Sequence, residues 1–182
     1  MALKSMRPKA REAIVDAAIQ LLARNPGASM NEIAMVAGVG RATLYRHYST
    51  RDELIAAIFE QSILETDQAV MSSINERMTA FEQLDAMLRA VIPLGDRYHF
   101  LATEFSTAEE LHQKYQKELS WLADLVHQLK LERVVAQDVP THWAVAQIDQ
   151  IVWTAWREVG EGRVASADAP NLALRTFTRG LA

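Results

Sequence analysis

GVGRATLYRHYSTRDEL, residues 38–54, decides the reading of this chain. Between Arg41 and Arg51 it sets three arginines, one histidine and two tyrosines. The chain as a whole carries a formal net charge of −4. Residues 1–51 hold eight Lys+Arg against three Asp+Glu, a net +5, and the other 131 residues hold eleven against twenty, a net −9. A basic head on an acidic body points to a polyanion that meets the head alone.

The flanks of this stretch are helical in pattern. Upstream, Ile14, Val15, Ala18, Leu21 and Leu22 recur at the spacing of one helix face. Pro8 suits a first helical turn and Asn25-Pro26-Gly27 a stop. Ser29-Met30-Asn31-Glu32 has the form of a capping box, in which the Ser and Glu side chains each satisfy a backbone N–H. A short helix with Ile33, Val36 and Ala37 inward should follow, closed by Gly38. Gly40 to Tyr48 is the next short helix. Ser49 with Asp52 and Thr50 with Glu53 are overlapping caps, opening a long helix to about Asn75.

Beyond Asn75 the same reading continues. One helix carries Phe81, Leu84, Leu88 and Val91 and breaks at Pro93-Leu94-Gly95; a short one covers Arg97 to Phe105. Ser106/Glu109 and Thr107/Glu110 cap a long helix whose apolar face runs from Leu111 to Leu129. Thr141 to Val159 is next, and Asp168-Ala169-Pro170 starts the last, with Leu174, Phe177 and Leu181 on one face. The expectation is an all-α fold of about nine helices.

Two short helices joined at a glycine make a helix-turn-helix, whose second helix lies in the DNA major groove. With Val39, Leu44 and Tyr48 turned inward, Arg41, Ala42, Thr43, Tyr45, Arg46 and His47 face out. Arg41 suits a guanine edge, and Ala42 with the Thr43 methyl suits a thymine methyl. Thr43, Tyr45, His47 and Arg51 carry donors for phosphate oxygens. Helix starts at Ser29 and Thr50 offer backbone N–H groups to phosphates.

MNEIAMVAGVGRATLYRHYSTRDELIAAIF, residues 30–59, resembles the DNA-binding half of the TetR family of bacterial transcriptional regulators. The shared pattern is Ile33-Ala34, Ala37-Gly38-Val39, Thr43-Leu44-Tyr45-Arg46-His47-Tyr48, and the basic Arg51. The likeness covers about residues 7–63. It implies that Arg41, Ala42, Thr43, Tyr45 and His47 contact DNA, with Arg51 at the fourth helix. It also implies a homodimer and a C-terminal domain that binds a small molecule. One departure is Gly40, where many members carry Ser or Thr.

The expected division is therefore a helix-turn-helix domain at 1–51 and an effector-binding and dimerisation domain at 52–182, with 52–75 as connector. An apolar pocket is expected among the middle helices, with Met78, Phe81, Met87, Tyr98, Phe100, Phe105, Trp121 and His127 as candidate lining. The helix from Thr141 carries apolar residues on more than one face: Trp143, Val145, Ile148, Val152, Trp153 and Trp156. Together with Phe177 they are the expected dimer interface.

Other classes find little support. The chain has no cysteine, Gly-rich phosphate loop, His-Glu-x-x-His or Gly-x-Ser-x-Gly. Neither Glu109/Glu110/His112 nor His99/Glu104 fixes a metal by spacing. No enzyme, cofactor or metal is expected, and neither a leader nor a membrane span, so the expected compartment is the cytoplasm. The expected function is a ligand-responsive, DNA-binding repressor on a palindromic operator. The alternative is a helical small-molecule or protein-binding module without sequence-specific DNA binding.

Overall fold

The computed structural model describes residues 6–101, 115 and 119–179. Every regular element among them is helical. The chain divides into two compact units, Met1–Ser62 and Ile63–Ala182.

The first unit contains α1 (Met6–Leu22), α2 (Met30–Val36), α3 (Arg41–His47) and the first half of α4 (Arg51–Ser73). Its core is the set that apolar periodicity selects: Ile14, Ala18, Leu22, Ile33, Leu44, Leu54 and Ile58 are all fully buried. On α2 the inward pair is Ile33 and Ala34. Val36, expected inward, is 50% exposed, because, with Ile33 and Ala34 centred on the core, position 36 lies about 110° round the helix from their midpoint.

The α2–α3 turn is built by backbone bonds. The Val39 N–H donates to the Ala34 carbonyl at 3.0 Å and the Gly38 N–H to Met35 at 3.2 Å. This is a Schellman closure, and it requires the left-handed φ of +66° at Gly38. Gly40 is different. It caps α3 from extended backbone (φ −68°, ψ 149°) with no side-chain bond to the helix.

The second unit contains the rest of α4, then α5 (Ala80–Val91), a 3-10 turn (Ile92–Leu94), α6 (Gly95–Tyr98), α7 (Ser120–Leu131), α8 (Thr141–Gly160) and α9 (Ala169–Arg179). The expected short helix at 97–105 thus starts earlier, at Gly95, and Pro93 sits inside the 3-10 turn instead of ending the segment. Helix α5 opens on a capping box, Thr79 with Glu82, and Glu132 adds a second carboxylate there, accepting from the Ala80 and Phe81 N–H groups at 2.7 and 3.1 Å. The caps expected at Ser106 and Thr107 lie outside the described residues, as do Phe105, Leu111 and Leu181.

Helix α8 packs against α6, α7 and α9, and α5 packs against α7 and α9. Trp156 is the centre of this unit. Its indole N–H donates to the Val91 carbonyl at 3.0 Å. Its ring lies so close to Gly95 that a Cβ there would fall 2.5 Å from the indole. Ala144, Ile148 and Trp156 share one buried line of α8.

The two glycines of the α2–α3 turn should respond oppositely to substitution. Gly38→Ala forces a Cβ into the left-handed region and should cost about 1 kcal/mol. Gly40→Ser meets open space and ordinary backbone, adds a cap and stiffens the unfolded chain, and should gain about 0.5 kcal/mol. Urea midpoints of the two variants, moving in opposite directions, check this.

Candidate nucleic-acid interface

Helix α3 is seven residues long. An isolated helix of that length is unstable in water, so packing must hold it. Leu44 is fully buried and Tyr48, one turn on at the C-cap, is 2% exposed. Arg11 of α1 fixes Tyr48: its Nε–H donates to the phenol oxygen at 3.1 Å and its guanidinium lies 5.6 Å from the ring centroid. This anchored pair sets the rotation of the helix. The i, i+4 pairs then sort themselves. Arg41 with Tyr45 and Ala42 with Arg46 are exposed, and Thr43 with His47 are half-buried at the flank. The outer face is therefore Arg41, Ala42, Tyr45 and Arg46.

Two further residues expected at the interface are placed differently. Ser29 caps α2, and its N–H and Oγ–H both donate to Glu32 Oε2 at 2.7 Å. Glu32 holds its carboxylate below the usual range, chiefly through the Ser29 N–H and then the Ser29 hydroxyl. An ionised carboxylate thus stands where a phosphate contact was expected. Arg51 is half-buried, and its guanidinium donates to the Pro26 and Ala28 carbonyls, at 2.7 Å each. At the start of α4, Glu53 mirrors Glu32. It accepts from the Ser49 N–H and Oγ–H at 2.7 and 2.8 Å, while its own N–H donates to Thr50 Oγ1 at 3.1 Å. Of the expected Thr50–Glu53 box the hydroxyl half forms, while the Glu53 carboxylate turns to Ser49, the expected partner of Asp52.

In the second unit the expected pocket residues separate. Met87, Tyr98 and Phe100 are buried, and Met78 and Trp121 half-buried. Phe81 is 40% exposed in the first turn of α5. His127 is exposed, because Leu122, Val126 and Leu129 make the inward stripe of α7 and it falls outside them. The expected dimer residues separate too. Ile148 and Trp156, expected at the dimer interface, are buried in the unit's own core. Trp153 is half-buried, meets Trp156 edge-on at 5.1 Å and donates to the Tyr115 phenol at 2.9 Å. Tyr115 in turn donates to the buried Asp149, a carboxylate that sequence reasoning did not single out. Trp143 is 59% exposed, and Val145, Val152 and Phe177 are half-buried. Trp143 and Phe177 line a groove of about 240 Å³ with Val139, Gln147, Ile151 and Thr176.

Comparison with known proteins agrees with the head. The family model for bacterial regulatory proteins of the tetR family matches residues 14–58. Residues 14–58 thus carry the pattern of that family's domain. The HTH-type transcriptional repressor LfrR of Mycolicibacterium smegmatis is 46% identical over 52 residues, which span 29% of this chain and 28% of that one. The chain thus matches little more than a quarter of that relative's length. The fatty acid metabolism regulator of Bacillus subtilis is 24% identical over 144 residues, 75% of this chain and 74% of the other. The crystal structure of LfrR with proflavine superposes with a TM-score of 0.80 at 22% identity, covering 97% and 98% of the chains. That of AibR with isovaleryl coenzyme A and operator DNA gives 0.74 at 19%, covering 93% and 98%. The whole chain thus has the tetR-type fold, and its tetR-type head is recognisable by sequence as well.

The Ser29–Glu32 box carries a pH dependence of known sign. The folded-state value of Glu32 is lowered, so its contribution is present above the ordinary carboxylate range and is lost as pH falls through the folded value. Ser29→Ala should lower the Tm clearly at pH 7, and the gap to wild type should close toward pH 3. Paired thermal melts across that range read it.

Proposed function

We propose that this chain is a dimeric, ligand-responsive transcriptional repressor that reads a palindromic operator with α3. The observation that carries the reading is the outer face of α3. Arg41, Ala42, Tyr45 and Arg46 are exposed together on a helix whose opposite side is locked by Leu44 and by Tyr48 under Arg11. A guanidinium near the helix start suits a guanine edge, the alanine a thymine methyl, and the phenol a phosphate. In this reading residues 1–51 are the DNA-binding domain and residues 52–182 bind effector and partner. Arg46 and the flanking Thr43 and His47 complete the contact set.

A second copy of the chain fits the α8–α9 face. From His142 to Thr154 the exposed residues of α8 are His142, Trp143, Ala146, Gln147, Gln150 and Thr154, none of them acidic. Charge depletion around an exposed tryptophan is the composition of an interface centre, and it stands out on a body of net charge −9. Two heads related by a two-fold axis would meet half-sites one helical turn, or a multiple, apart. The effector is a small, largely apolar molecule; among the structural neighbours one is a complex with proflavine, a flat aromatic, and another with isovaleryl coenzyme A, of which the acyl end is apolar. It releases DNA by preferring a conformation in which the two α3 helices no longer fit the operator. The protein works in the cytoplasm and catalyses no reaction.

Fluorescence anisotropy against labelled duplexes tiled across the region flanking its own gene tests the reading. Wild type should bind one tile saturably, with affinity falling steeply as salt rises. Arg41→Ala and Tyr45→Ala should each weaken that binding by about 1–3 kcal/mol, roughly 5- to 150-fold. Equal, weak binding to every tile and every genomic fragment would instead favour a binding module without sequence readout.

The dimer is tested separately. Trp143→Ala should raise the dimer dissociation constant by about 2 kcal/mol or more, roughly thirtyfold. Sedimentation equilibrium across protein concentrations measures it, and an unchanged constant would move the interface elsewhere.

A further inference from the structure

We infer that Arg51 acts on DNA recognition as a positioning strut and makes no phosphate contact of its own. The inference rests on the DNA-binding reading of the head and assigns one of its basic residues a different task. Arg51 is the first residue of α4. A cation there opposes the helix dipole, whose N-terminus favours anions, and the next two residues, Asp52 and Glu53, follow that preference. The position of Arg51 therefore needs another cause, and the structure supplies one. The two arms of its guanidinium reach back across more than twenty residues to the Pro26 and Ala28 carbonyls, at 2.7 Å each.

Those carbonyls bracket the connection between α1 and α2. Ala28 is fully buried, and its own N–H donates to Asn25 at 3.0 Å. Ser29, the next residue, is the N-cap of α2. Arg51 thus ties the start of α2 to the start of α4. Helix α2 in turn sets α3 through the rigid Gly38 turn. A planar fork suits two carbonyls held at a fixed separation, which a single ammonium does not match. Two of its five N–H donors are spent on these carbonyls, and with both terminal nitrogens held there the half-buried guanidinium is turned toward the α1–α2 connection. Of the three arginines between residues 41 and 51, Arg41 and Arg46 are left for DNA.

Salt dependence separates the two roles. A side chain that neutralises a phosphate contributes about 0.9 to the slope of log K against log salt, whereas a strut contributes nothing to it. Operator affinity is measured for wild type, Arg51→Ala and Arg51→Lys well below the Tm of each, with amide hydrogen exchange of the same full-length proteins. Arg51→Lys keeps the charge and serves as the arm that folds if the alanine variant does not. The expected result is about tenfold weaker binding in both variants, a salt slope equal to wild type, and faster exchange at Ala28. Lysine binding like wild type, with a slope about one unit lower in the alanine variant, would overturn the strut in favour of a phosphate contact. Unchanged affinity in both variants would overturn it as well. If wild type binds no operator, the DNA-binding reading fails, and unchanged exchange at Ala28 would then remove the strut independently.

Discussion

The anchoring of α3 is the constraint on which the rest of the head depends. Seven residues form too few backbone bonds to sustain a helix alone. The helix also starts on a glycine that offers no side-chain cap. Its order is therefore borrowed from Leu44 and Tyr48, which bury one side completely. Burial of a leucine-sized side chain is worth about 2 kcal/mol, and the Arg11–Tyr48 contact adds a polar fix to it. Because these two residues are one turn apart, they fix rotation as well as position. A recognition surface needs both, since a twist of one residue, about 100°, would replace Arg41 and Tyr45 by Ala42 and Arg46 at the centre of the face.

Arginine does two different jobs in this small unit. Arg41 and Arg46 stand in solvent on the outer face of α3. Arg11, exposed itself, and the half-buried Arg51 tie helices together, one through a phenol and its aromatic ring, the other through two carbonyls. A lysine would serve poorly in either tying role, because both use the planar geometry of the guanidinium. Basic composition therefore overstates the charge available to a polyanion.

That distinction marks where the sequence was legible and where it was not. The helices, the Ser29–Glu32 box, the Gly38 turn and the inward turn of Leu44 and Tyr48 follow from periodicity and cap chemistry, which are local. Thr79–Glu82 belongs with them, since its four-residue pattern is as plain as that at Ser29. Arg51 could not be read in this way, because its partners lie more than twenty residues back and are backbone atoms that carry no sequence signal. Val36 failed on phase: in a seven-residue helix a shift of one position moves a side chain from core to solvent. Trp156 and Trp143 look equivalent in sequence, yet one donates to the Val91 carbonyl and the other stands 59% exposed. Only tertiary packing against Gly95 tells them apart.

The overall charge of −4 is a poor guide to whether this chain can meet DNA. At physiological salt, fields between exposed charges fade over about 8 Å. An acidic residue farther than that from a bound phosphate contributes little, however many such residues the body holds. The charges that matter lie within the head. There Glu53 at the start of α4 and Glu32 are the repulsive groups of consequence, and Glu32 is exposed, ionised by its bonds to Ser29 and fixed at the start of α2. Its carboxylate stabilises the fold by satisfying Ser29 and opposes an approaching phosphate through the same charge. The head thus trades some electrostatic attraction for the order of α2, and through the Gly38 turn that order passes to α3, where the outward arginines are held.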